Sequence, residues 1–261
     1  MRTSLLLALG LIATAAQAAP TVYDNFAAGA IDPAKWNETA SWRYVDGNGR
    51  LQLGRTAVAG AAADTGLLFD TLGLNAKRSI PAKSMGATLR VMDIDVPDGC
   101  ATNTTQTVST SRARVIGSLF NARPGGPVAG DRTGDVLAQV RVGRASNSTD
   151  AEGVLRVTGV LSQCTTPDCS FSVGLSSQDL GTAALGQRVK ALIKWSRATN
   201  TVAFSRDGGA AKVSSYTLAD GALPAVVFHQ VSLRHDLPNC LSAPAPRASI
   251  SAEIDDVIFS D

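Results

Sequence analysis

The chain has 261 residues, with 24 basic side chains against 22 acidic ones and only 5% aromatics. Such a near-neutral balance excludes capture of nucleic acid or anionic membrane by net charge, and so few aromatics exclude a long aromatic-paved cleft. Among the acidic residues only Glu38, Glu152 and Glu253 are Glu; the Asp excess and 24 Gly describe strands and turns rather than helices.

Arg2, the apolar run from Leu5 to Ala16 and the small-x-small triplet Ala16-Gln17-Ala18 predict a cleaved export signal over residues 1–18, with the mature chain starting at Ala19. The run is too short for a membrane anchor, and no later stretch approaches membrane length. Residues 19–261 are therefore read as one exported all-β domain that does not insert into membranes.

The first segment after the leader reads Tyr23-Asp24-Asn25-Phe26, then Ile31-Asp32-Pro33-Ala34-Lys35-Trp36. Tyr44-Val45, the turn Asp46-Gly47-Asn48-Gly49 and the alternating Leu51 and Leu53 predict a hairpin. Residues 56–74 are Ala/Gly-rich without a clear period and read as a loop or short helix. Alternation predicts strands over 89–96, 114–121, 136–142 and 154–161. Val189, Ala191, Ile193 and Trp195 share one face of a further strand. Its partner carries Val202 and Phe204 and turns at Asp207-Gly208. Strands over 226–233 and 248–259 complete the set, the last reading Glu253-Ile254-Asp255-Asp256-Val257. About ten or more strands without alternating helices predict an antiparallel two-sheet sandwich.

Three of these stretches resemble the concanavalin A-like lectin/glucanase superfamily: the opening Asp-Asn-Phe…Ile-Asp…Trp with its hairpin, the hairpin Lys194-Trp195-Ser196-Arg197…Asn200…Val202…Phe204…Asp207-Gly208, and the closing Ile-Asp-Asp-Val. The resemblance implies a jelly roll in which the first and last strands pair. It also implies a structural calcium on the convex side, with Asp24 and Asp256 at ligand positions. The competing reading has Asp24 capping a turn and Asp256 on the surface.

Four cysteines in an exported chain predict two disulfides. The Pro167-Asp168 turn favours Cys164–Cys169, which leaves Cys100–Cys240 to tie two distant loops. A zinc site is disfavoured, because there is no paired C-x-x-C and no nearby His. N-x-S/T sequons occur at Asn37, Asn103 and Asn147.

Glycoside hydrolysis needs two positioned carboxyls, roughly 5 to 9.5 Å apart. The glucanase E-x-D-x-E pattern is absent: Glu253-Ile254-Asp255 lacks a second Glu and lies in the closing strand. Asp93 and Asp95, two apart on one strand face, are the best remaining carboxylate pair; the competing reading leaves both solvated. His229 reads as a sheet residue and His235 as the start of a loop, neither in a nucleophile context. Trp36 and Trp195 read as core. Trp42 and Tyr44 share a face of the first hairpin and are the candidates for stacking on a sugar ring; the competing reading packs them inward. The expected function is a secreted, non-catalytic, lectin-like domain for a glycan or a cell-surface partner. The alternatives are a divergent glycoside hydrolase or polysaccharide lyase, or a structural or adhesive envelope protein.

Overall fold

The computed structural model describes residues 21–37, 42–100, 102–103, 106, 108–241 and 244–261. The expected leader and the start at Ala19 lie outside these residues, as does Glu38. The strands are β1 (Thr21–Asp24), β2 (Trp36–Asn37), β3 (Arg43–Val45), β4 (Leu51–Val58), β5 (Leu67–Ala76), β6 (Ser84–Asp95), β7 (Thr110–Asn121) and β8 (Asp135–Ala145). They continue as β9 (Val154–Cys164), β10 (Ser172–Ala184), β11 (Val189–Ser196), β12 (Thr201–Arg206), β13 (Lys212–Ser215), β14 (His229–Pro238) and β15 (Arg247–Ser260). One 3-10 turn, Arg197–Thr199, is the only helical element among the described residues.

Two antiparallel sheets stack as a jelly-roll sandwich. One is eight-stranded, in the order β13-β12-β11-β6-β15-β4-β3 with β1 also on β15; the other is seven-stranded, β10-β9-β8-β7-β14-β5-β2. The ends of the chain meet as the motifs imply, with Thr21 opposite Phe259 and Val22 opposite Ile258. The chemistry of the opening motif explains this. Buried Asp24 accepts the Trp36 indole N–H at 2.7 Å and the Phe26 amide at 2.9 Å. Phe26 stacks on Trp36, and Tyr23 meets it edge-on. A carboxylate that would be costly to bury alone becomes the polar centre of an aromatic cluster.

Period-2 alternation sends Leu89, Val91, Ile193, Phe204 and Ile254 inward from the eight-stranded sheet, against Val115, Val140, Val157 and Leu233 from the other. Gly159 is required where β9 packs against the facing sheet: a Cβ there would lie 2.3 Å from the Phe204 ring. Trp36 and Trp195 are core, and the Trp195 indole donates to the Tyr216 hydroxyl.

Both expected disulfides form, Cys100–Cys240 and Cys164–Cys169. They fit an extracellular or periplasmic compartment. No helix among the described residues is long and apolar enough to cross a membrane.

Several expectations are corrected. Residues 56–74 hold no helix: the expected loop spans only 59–66, between the end of β4 and the start of β5, whose central residues are buried without strict alternation. His235 lies inside β14, fully buried, rather than opening a loop. The alternation expected over 89–96 breaks at Met92, which a register slip between β6 and β15 turns outward. Trp42 and Tyr44 do not pack inward, being 70% and 64% exposed.

Candidate functional site

The outer face of the seven-stranded sheet carries an unusual charge pattern. Register fixes it row by row. Ser232, Arg114, Arg141 and Thr158 lie opposite one another across β14, β7, β8 and β9. The next row is Arg234, Arg112, Gly143 and Arg156, and the row beyond pairs Asp236 with Thr110. Arg112 and Arg114 come from the R-x-R alternation of β7, Arg234 and Asp236 from the R-x-D of β14. Arg234 thus faces Arg112, and Arg114 faces Arg141, each a like-charge pair directly across two strands. Such pairs destabilise a sheet, where opposite charges would support it.

Asp236 is the one carboxylate among these central rows. Arg112 Nη2 donates to it at 2.5 Å and Arg234 Nε at 2.6 Å. Burial alone would raise its pKa, but the two guanidinium groups outweigh that and hold it at about 2. Arg114, 5% exposed, donates to Ser232 Oγ and to Gln139 Oε1. Burial, then repulsion from Arg234 and Arg112, pulls its pKa well down. Burial and Arg112 bring Arg141 down to about 10. Among the described residues, the buried Nε atoms of Arg112, Arg132 and Arg141 have no hydrogen-bond partner. A guanidinium keeps its charge in proteins, and here burial and like-charge neighbours disfavour it.

Two cavities of about 340 Å³ each share Arg112 and Arg141 and run together along this face. One extends past Arg144 and Arg156 to Asp150, which Arg156 grips with both Nε and Nη2. The other runs toward Arg132 and Phe228. At that end the Cys164–Cys169 loop covers Ile116 and Leu137, forming a small apolar cluster with Phe228. The loop is held by Arg132 N–H donating to Pro167 O at 2.8 Å. Phe171, just past the loop, meets Phe69 of β5 edge-on, with ring centres 5.8 Å apart. Arg234 lies over the other partner's ring, 4.7 Å from the Phe69 centroid. The result is a cationic groove with an aromatic closure.

The residues expected from sequence to carry function lie elsewhere. Asp93 and Asp95 are exposed on the outer face of the eight-stranded sheet. Trp42 shares a shallow trough with Asp93 there; Tyr44 and Asp95 do not line it. Both histidines point between or behind the sheets. His229 Nε2 accepts the Ala82 amide, and His235 pairs with Ser111 Oγ. Asp24 and Asp256 are near in register, Asp24 standing opposite Val257. Their side chains diverge, however: Asp24 is buried beside Lys35 Nζ, 3.6 Å away, and Asp256 is exposed. A cation at Asp24 would compete with that ammonium. Among the described residues, no group of three His, Cys, Asp or Glu gathers to hold a metal.

No family model matches the chain, and neither does any curated protein. Solved structures do resemble it. LamAcat from Zobellia galactanivorans aligns at TM-score 0.45 and 11% identity, over 91% of this chain and 96% of that one. The Bacillus licheniformis β-glucanase aligns at 0.44 and 10%, over 91% and 96%. An alginate lyase from Klebsiella pneumoniae aligns at 0.42 and 11%, over 85% and 84%. At these scores and identities the likeness assigns no function, because one fold hosts many.

Proposed function

We propose that this chain is a secreted, non-catalytic recognition domain that holds an anionic polysaccharide, bearing carboxylate or sulfate groups, along the arginine groove. The observation that carries the reading is the pair of like-charge cross-strand contacts, Arg234 with Arg112 and Arg114 with Arg141. With Asp236 already shared by two of these arginines, they lack enough counter-charge within the protein. A row of carboxylates or sulfates would supply it and would take the planar guanidinium donors in pairs.

The groove is better suited to binding than to turnover. Hydrolysis needs a carboxyl that can donate a proton, and Asp236 is held ionised at about 2. Among the described residues, the lining of both cavities includes no histidine, tyrosine or glutamate. Hydrolase or lyase action on the same polysaccharide is the rival reading.

Affinity electrophoresis separates the readings. Retardation is expected in gels containing alginate, polygalacturonate or dextran sulfate, and not in gels with neutral dextran. Arg141→Gln should relieve it. New reducing ends, or absorbance from an unsaturated uronate, would favour the enzymatic alternative. Equal retardation by duplex DNA would make the site a general polyanion surface. No retardation by any anionic polymer would remove the proposal.

A further inference from the structure

We propose a second carbohydrate site on the opposite side of the molecule, a trough on the outer face of the eight-stranded sheet that takes a neutral oligosaccharide. Trp42 forms one wall and is the only exposed tryptophan: Trp36 and Trp195 are buried in the core. The floor is made of small residues in register. Gly54 lies opposite Ser251 and Ser251 opposite Asp93, while the adjoining row sets Thr56 against Ser249. A Cβ at Gly54 would meet no atom within 4 Å, so the glycine keeps the floor low without being required by packing. The trough encloses about 510 Å³, within the range of small-ligand sites.

The chemistry is that of sugar recognition. An indole face covers the apolar C–H face of a pyranose, while hydroxyl and carboxylate oxygens accept from its hydroxyls. Asp93, Thr56, Ser249 and Ser251 make no side-chain hydrogen bond to a described residue and are open to such a ligand. From Trp42, just before the edge strand β3, to Asp93 on β6 is three strand spacings, roughly 14 Å, the reach of two or three sugar rings. Charge selects against the ligand of the other face. Asp93 lines the trough and Asp95 stands beside Ser249, while the lining cation, Arg55, is neutralised by Asp70 through Nε and Nη2, so an anionic chain is repelled where a neutral one is not. The site is independent of the arginine groove, and either proposal can fail without the other.

Acrylamide quenching of tryptophan fluorescence reads this site directly, because Trp42 dominates the accessible signal. With neutral tetrasaccharides from β-glucan, mannan and xylan, at least one should lower the quenching constant twofold or more and shift emission to the blue. Trp42→Ala should weaken binding of that sugar at least tenfold, measured by calorimetry, with an unchanged melting temperature. Asp93→Asn should weaken it about fivefold. Arg141→Gln, in the other groove, should leave it unaltered. Shielding by none of the three sugars would overturn the site. So would shielding that survives Asp93→Asn at full affinity, or that is lost in Arg141→Gln.

Discussion

Arg141 faces Arg114 across β7 and β8, and it forms no ion pair among the described residues. Its removal separates function from stability. Arg141→Gln is expected to reduce affinity for an anionic oligosaccharide at least tenfold by calorimetry. Thermal melts should show no loss of stability, and a gain of about 0.2–1 kcal/mol where relief of the like-charge pair dominates. Asp24 is the converse case. Asp24→Ala would leave the Trp36 indole and the Phe26 amide without their acceptor, and should cost about 1–3 kcal/mol in urea unfolding. This residue was legible from sequence, because its partners lie within twelve positions and form a recognisable motif. The arginine lattice was not. Its members, near 112, 141 and 234, are brought together only by long-range register, and the net charge of the chain conceals them. Their one local trace is the alternation of Arg112 with Arg114 in an apolar strand.

At the level of elements, β10 shows why some strands escape a pattern reading. It is an edge strand, exposed along most of its length, so no apolar face marks it. The same strand begins at the Cys164–Cys169 loop that covers one end of the groove. The short loop closed by this disulfide predicts a smaller entropic contribution, about 2 kcal/mol, than the near 5 kcal/mol of the Cys100–Cys240 link. Replacing both Cys164 and Cys169 by Ser should therefore leave a folded protein that binds anionic glycan more weakly, as the cover over Ile116 and Leu137 loosens. Parallel denaturation and binding curves test this. Gly159 on β9 is the contrary element-scale device. Gly159→Ala forces a methyl against the Phe204 ring and should destabilise by about 1–3 kcal/mol, read as a lower urea midpoint with an unchanged slope.

For the whole molecule, the two buried histidines set the acid side of the stability profile. Burial, followed by repulsion from Arg78, lowers His229 to about 4 from its ordinary 6.5, and burial lowers His235 as well. The folded state thus keeps His229 neutral where the unfolded chain would protonate it. The unfolded state binds more protons between about pH 6.5 and 4, so stability is full above that window and falls as pH falls through it. His229 alone predicts a loss of about 2 kcal/mol between pH 7.5 and 5. Urea titrations at those two pH values check it, and His229→Gln should flatten the difference.

The seven-stranded sheet carries the arginine rows, and the eight-stranded sheet carries the trough of Trp42 and Asp93. Calorimetric titration of the Trp42→Ala protein, in which the trough is disabled, with a hexameric uronate oligosaccharide and with its neutral counterpart, at roughly 20, 100 and 500 mM salt, isolates the arginine face. The anionic ligand alone should bind this protein, its affinity should fall steeply with salt as screening shortens the reach of the guanidinium groups, and adding Arg141→Gln should lower both the affinity and the salt dependence. Binding of the neutral ligand with equal strength, or anionic binding indifferent to salt and to Arg141, would contradict the proposed function.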